Sequence, residues 1–102
     1  MIYAVTVHIE KESEDAWGVW MQSKHIPDVM ATGLFLNCRM MRSELVLQKG
    51  YITYMMHYEL ANKEKFKEYE EKHAARLRND AILNFDGRFI ASRDLLEITA
   101  RF

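Results

Sequence analysis

The order in which two kinds of apolar periodicity follow one another is what most constrains the fold of this chain. A strand pattern, a helical pattern, two strand patterns, a second helical pattern and a last strand pattern succeed one another. This order predicts a ferredoxin-like βαββαβ fold, in which two helices pack on one face of a four-stranded antiparallel sheet. In the first strand, Ile2 to Ile9, the odd-numbered side chains form an unbroken apolar row. That row consists of Tyr3, Val5, Val7 and Ile9.

The first helix is predicted after this strand, in a segment that holds both tryptophans. Ser13 is a suitable N-cap, and the two acidic residues that follow it suit the positive end of the helix dipole. Pro27 disfavours a helical conformation at the residue before it. We therefore expect the helix to break near His25, to restart with Pro27 in its first turn and to end at Gly33. Helical spacing places three large side chains on one side of the first part, Trp17, Trp20 and Met21.

Alternation, turn residues and a second amphipathic stripe predict the remaining elements. Strands are expected over Leu34 to Arg42, Tyr51 to Leu60 and Arg88 to Ile98. The sequence does not determine how long the loop from Ser43 to Gly50 is. Its apolar residues could extend the preceding strand as far as a turn at the last two positions of this segment. A helix is predicted from a cap at Asn62 to about Asn79. The large side chains of its stripe are Phe66, Tyr69, His73 and Leu77.

The second face of the predicted sheet carries no helices, and its composition is unusual. If the apolar row of the first strand meets the helices, this face is too polar for a dry core. It also has few of the lysines and glutamates expected of a solvated surface. We therefore expect a second copy of the chain to cover part of it and to form a homodimer. The side chains predicted there are Ala4, Thr6, His8, Asn37, Arg39, Thr53, Met55 and His57.

The composition argues against several classes of protein. The chain of 102 residues is expected to form one domain over residues 1–102, and its hydrophobic content of 49% is ample for a core. A net charge of −1 gives no general attraction to nucleic acid or to an anionic membrane. No apolar run approaches the roughly 20 residues that span a bilayer. The single cysteine, Cys38, permits no intrachain disulfide and no signal sequence precedes the first strand, so we expect a cytoplasmic location.

A set of motifs extends over nearly the whole chain. They are Met1-Ile2-Tyr3, Trp17, Trp20-Met21, His25-Ile26-Pro27, Ala31-Thr32-Gly33-Leu34-Phe35, Tyr69, His73-Ala74, Leu77-Arg78 and Phe89. This pattern resembles the family catalogued as domain of unknown function 4286. The resemblance implies a bacterial domain of about this length, related in fold to the dimeric α/β-barrel superfamily of monooxygenase-like proteins. It implies no catalytic residues.

Two histidines lie on the predicted helices. His25 is expected at the carbonyl end of a helix, where the dipole favours the protonated ring and makes it a candidate proton donor or anion contact. Alternatively, its ring nitrogens satisfy carbonyls that Pro27 leaves free. His73 lies on the apolar stripe of the second helix, where a buried histidine bonded to the backbone or to Tyr69 is ordinary.

Candidate binding groups are also predicted on the strands. His8 and His57 are expected on adjacent central strands of the uncovered face with Arg39 beside them. There they form either a cationic lining for a small carboxylate or phosphate or polar contacts of the dimer interface. No close pair of histidines has the spacing of zinc ligands and Cys38 points away from Arg39, so no metal site is predicted. Tyr54 is expected on the helix-facing side, as a core residue whose hydroxyl could line a pocket.

Several functions remain open from the sequence. A homodimeric domain that binds a small hydrophobic or anionic molecule without a cofactor is one, and a dimerisation module without a ligand is another. Fold analogy alone implies a third, a monooxygenase-like enzyme, but haem degradation is disfavoured because only His73 matches the residues used for it. RNA binding is disfavoured because Thr53 stands where a stacking aromatic is needed. The candidate ligand-binding residues are His25, His57, His8, Arg39 and Tyr54.

Overall fold

A computed structural model describes all 102 residues and confirms the ferredoxin-like fold. Its strands are β1 (Ile2–Glu10), β2 (Asn37–Arg42), β3 (Tyr51–Glu59) and β4 (Phe89–Leu96). They form one antiparallel sheet in the order β2-β3-β1-β4. Its helices are α1 (Glu14–Trp20), α2 (Ile26–Met30), α3 (Lys63–Lys72) and α4 (Ala74–Phe85). The helices connect β1 to β2 and β3 to β4, as the sequence pattern predicted.

Aromatic side chains form the centre of the core between the helices and the sheet. Tyr3 is 3% exposed, and its ring lies 5.0 to 6.1 Å from four other aromatic rings. Such pairs add about 0.5–1.5 kcal/mol each beyond the burial of their area. Val7 and Ile9 are buried in the same cluster, so the predicted orientation of β1 is confirmed. The four rings around Tyr3 belong to Phe35, Tyr58, Phe66 and Tyr69.

The predicted break near His25 is wrong, because the chain remains helical through Pro27. The turn Met21–His25, which we call the π turn, is wider than an α-helical turn, and the N–H of Ile26 bonds to the carbonyl of Met21 five residues earlier. Ile26 itself has helical dihedral angles. A wider turn relieves the clash between a proline ring and the carbonyl of the preceding turn. Pro27 therefore lies in the first turn of α2 without a break, and the helix ends before Gly33, whose φ of 75° is left-handed.

The second helix differs from its prediction in both continuity and length. It is divided at His73, whose φ of −131° interrupts α3 and α4, and it continues to Phe85 rather than to Asn79. The extension buries Phe85 against Trp20, with ring centroids 5.4 Å apart. The predicted cap is confirmed, since Oδ1 of Asn62 accepts a hydrogen bond from an amide of the first turn. None of the helices is long and apolar enough to cross a membrane.

Two strands are shorter than predicted. β2 begins at Asn37 because Leu34 and Phe35 are both buried, and consecutive residues of a regular strand point to opposite faces. β4 ends at Leu96, before the predicted Ile98. The β2–β3 loop, residues 43–50, contains no further strand, which settles its open length. Its three apolar side chains, Leu45, Val46 and Leu47, are all exposed.

Candidate functional site

A cavity of about 40 Å³ lies between the helices and the sheet. Thirteen of its 16 lining residues are hydrophobic, and they come from β1, β3, β4 and the helical segments. This is the volume open to the centre of a water-sized sphere, of which one water molecule needs about 10–15 Å³. The cavity therefore has room for about three non-hydrogen atoms. Its three polar lining residues are His25, Arg78 and Arg93.

His25 ends the π turn and stacks on a tryptophan of the cavity wall. Its ring lies 4.9 Å from that of Trp20 at an interplanar angle of 26°, and its Nδ1 is buried without a hydrogen-bond partner. Burial lowers the pKa of His25. The negative charges of Asp80 and Asp28 raise it, but their effect is smaller than that of burial. The expectation of a protonated ring at a helix end is therefore wrong, because the helix continues and desolvation dominates. Nδ1 does not satisfy a carbonyl freed by Pro27 either.

Arg78 reaches the cavity from α4. Its Nη1 and Nη2 donate to the two carboxylate oxygens of Glu70, and Nη2 also donates to the hydroxyl of Tyr3 over 3.0 Å. These three bonds use both hydrogens of Nη2 and one of Nη1. The N–H of Nε is buried and has no partner in the protein.

Arg93 enters the site from the edge strand β4. It lies opposite Val5 in the sheet register, which places it on the helix-facing side. Arg93 is exposed and makes no ion pair, and since it also lines the cavity, the cavity reaches the surface beside it. No aspartate or glutamate is among the lining residues. The polar part of the site therefore carries a net positive charge from Arg93, since the charge of Arg78 is paired with that of Glu70.

Buried tyrosines form part of the wall. Tyr58 and Tyr69 both line the cavity, and burial is the main cause that raises their pKa values, to about 12 for Tyr69. Both side chains therefore stay protonated at neutral pH. The tryptophan side of α1, expected to be core, is both core and cavity wall, because Trp17 is buried and lines the cavity with Trp20.

The histidines of the uncovered sheet face do not come together. Nδ1 of His8 lies 2.7 Å from Oγ1 of Thr53, whereas His57 lies opposite Ala4 and Arg39. The two histidines are thus four residues apart along neighbouring strands, roughly 13 Å. The expected lining of two histidines and an arginine is reduced to the pair of His57 and Arg39, and His8 is held by its threonine.

Tyr54 lies outside the cavity and joins a polar network at the beginning of α1. Its hydroxyl donates to Oε2 of Glu14 over 2.6 Å, and Nε of Arg42 donates to the same oxygen over 2.7 Å. Both hydrogen bonds lower the pKa of Glu14, and the bond from Arg42 has the larger effect. The network ties the first helix to β2 and β3. Tyr54 packs on Trp17 of the cavity wall, with ring centroids 5.0 Å apart, but its hydroxyl bonds to Glu14 and not to a polar residue of the cavity.

The other titratable residues do not form a metal site. No three histidine, cysteine, aspartate or glutamate side chains are grouped so as to hold a metal ion. Cys38 is half-buried on the helix-facing side, and burial raises the pKa of its thiol to about 11. His73 is half-buried at the junction of α3 and α4, where its Nδ1 lies 3.1 Å from a guanidinium nitrogen of Arg76.

Sequence reasoning missed both arginines of the cavity. Arg93 stands in the helix-facing row of β4 between Ala91 and Leu95, and a cation within an apolar row is a signal that could have been found. Arg78 follows the last residue of the predicted helical stripe, Leu77, and nothing in its spacing indicated a contact with β1. Of the predicted residues, only His25 lies at the cavity.

Comparisons with known proteins support the fold. The model of the family described as "Domain of unknown function (DUF4286)" matches residues 1–99. An ethyl tert-butyl ether d (ethd) family protein from Bacillus halodurans has a TM-score of 0.64 at 11% identity, covering 95% of this chain and 100% of the other. A dimeric ferredoxin-like protein from an uncultured marine organism has a TM-score of 0.63 at 15% identity, covering 97% and 96%. No curated protein matches the sequence.

Proposed function

The chain belongs to the family of domain of unknown function 4286, and from this starting point we propose that it is a homodimeric domain that binds a small molecule between its helices and its sheet. The observation that carries this proposal is a pair of buried nitrogens on two residues that line the cavity, Nδ1 of His25 and Nε of Arg78, neither of which has a partner in the protein. A buried polar group without a hydrogen bond costs about 1–3 kcal/mol. In native proteins the large majority of such groups have a partner in the protein, in a bound ligand or in ordered water.

The homodimer is supported by the apolar surface that borders the uncovered sheet face. Four strands of about six residues give that face a footprint of roughly 400 Å², about half of the roughly 800 Å² that each partner of a stable complex buries. Two exposed apolar segments adjoin its edge strands and could supply the rest. They are the β2–β3 loop with Leu45, Val46 and Leu47, and the tail after β4 with Ile98 and Phe102. The dimeric ferredoxin-like neighbour is consistent with this assembly.

A cavity-filling variant tests the binding site. Ala81 lines the cavity from α4, and Ala81→Leu adds three carbon atoms to a space for about three. The matched control is Ala75→Leu on the exposed side of the same helix, since alanine and leucine have similar helix propensities. Backbone amide shifts would be recorded by NMR during titration with acetate and with its neutral isostere acetamide.

The expected result is a saturable shift of cavity amides in the wild type and in Ala75→Leu, and its loss in Ala81→Leu. If neither probe shifts the cavity amides of the wild type, the binding proposal is wrong. A dimer that binds neither probe would support the second candidate, a dimerisation module, which the small size of the cavity favours.

A charged substitution tests the interface. Met55 lies near the centre of the uncovered face, opposite Thr6 and Met41 in the register. Met55→Glu places two like charges close to the twofold axis, and we expect a monomer at micromolar concentration in sedimentation velocity. Leu83→Glu, at a side chain 74% exposed on α4, should leave the dimer intact. A wild-type monomer at the same concentration would overturn the proposed assembly.

A bacterial, cytoplasmic protein is the setting that these features support. Cys38 is the only cysteine and is free, as expected in a reducing compartment. The family resemblance supports a bacterial source. Fractionation of cells that express the full chain would test the location, and recovery in the periplasmic fraction would contradict it.

A further inference from the structure

We propose that the cavity binds a short monocarboxylate, whose carboxylate group accepts hydrogen bonds from Arg78, Arg93 and His25. This inference rests on the proposed function and names the chemical class of its ligand. No other cluster in the structure combines unpartnered donors, positive charge and an enclosed volume.

The charge of the cavity wall selects an anion. Two of its lining residues are arginines and none is acidic. Arg78 donates to Glu70 only through Nη1 and Nη2, which leaves its Nε free, and Arg93 has no acidic partner. Guanidinium groups are the preferred partners of planar carboxylates, to which they donate parallel hydrogen bonds.

The size of the cavity decides between anions. It accommodates about three non-hydrogen atoms, which is the size of a carboxylate group. A phosphate or sulfate has five, and would need the aromatic wall to move. The remaining wall is apolar, so it suits a hydrocarbon remainder no larger than a methyl group, which gives four non-hydrogen atoms in all, rather than a second charged group.

The position of Arg93 suggests a route by which an anion enters the cavity, and it makes this residue suitable for a test by substitution. Because Arg93 is exposed and lines the cavity, an anion arriving from solvent meets this side chain first. It makes no ion pair whose loss would disturb the fold. Arg88, exposed just before β4 and absent from the cavity wall, is the matched control for the loss of one positive charge.

The test is a set of titrations of the full-length chain followed by backbone amide shifts in NMR, at constant ionic strength and pH. The probes are acetate, acetamide, inorganic phosphate and benzoate, and the proteins are the wild type, Arg93→Gln and Arg88→Gln. We expect acetate to bind the wild type at least tenfold more tightly than acetamide, phosphate or benzoate. Arg93→Gln should weaken acetate binding at least tenfold, and Arg88→Gln less than twofold.

The other outcomes separate this inference from the proposed function. If acetamide binds as well as acetate, the cavity is a small-molecule site and the carboxylate assignment is overturned. Phosphate binding that equals that of acetate, or equal effects of the two arginine variants, would also overturn it. If no probe perturbs the cavity amides, the proposed function fails together with the inference.

Discussion

The bond between Arg78 and Tyr3 gives the sharpest prediction about stability. Tyr3 is 3% exposed at the centre of the core, and its hydroxyl accepts a hydrogen bond from Arg78. Arg78→Met keeps much of the packing of the side chain but leaves this hydroxyl without its donor. That loss costs about 1–3 kcal/mol. The half-exposed pair of Arg78 and Glu70 contributes at most about 1 kcal/mol.

The expected destabilisation is therefore about 2 kcal/mol, or a decrease in Tm of roughly 10 °C for a domain of this size. Urea denaturation at a fixed protein concentration measures it, with Arg76→Met as the exposed control, expected to change stability by less than about 0.5 kcal/mol. A double-mutant cycle with Tyr3→Phe should give a coupling energy of about 1 kcal/mol. Additive effects, or a loss no larger than that of the control, would refute the assigned role of this hydrogen bond.

Three further predictions concern separate features of the chain. Because burial raises the pKa of Cys38 to about 11, iodoacetamide at pH 8 should label the folded protein about 100-fold more slowly than the unfolded chain; equal rates would contradict this. Burial lowers the pKa of His25 in the folded state. Below pH about 6.5 the unfolded chain is therefore protonated at His25 while the folded protein is not, and the free energy of unfolding should fall as the pH drops. His25→Gln should flatten that decrease, and an unchanged slope would count against it. Gly87→Ala, at a φ of 73°, should cost about 1 kcal/mol, whereas Gly18→Ala in α1, with open space at its Cβ, should stabilise by roughly 0.5 kcal/mol; effects of the same sign would be inconsistent with these geometries.

The strands of the sheet could be predicted from the sequence because the alternation that marks them is local. The alternation of β1 determines which side chains face the helices, and burial of Tyr3, Val7 and Ile9 confirms it. The cap at Asn62 and the helix end at Gly33 also depend only on neighbouring residues. These elements could be predicted without knowing what packs against them.

The parts that depend on tertiary contacts could not be predicted. The π turn keeps the helix intact through Pro27, and no local pattern of the sequence predicts such a turn. The distance between His8 and His57 depends on the register between β1 and β3. Predicting each strand separately does not determine that register. The cavity itself arises where α4 and β4 bring Arg78 and Arg93 near His25, three residues far apart along the chain.

A high-resolution crystal structure of the full chain, grown with acetate as the only carboxylate, tests the central claim most directly. We predict density for a small molecule in the cavity, within hydrogen-bond distance of Nδ1 of His25 and Nε of Arg78. A cavity that is empty, or whose two nitrogens are satisfied by protein groups or ordered water alone in the presence of acetate, would contradict the account.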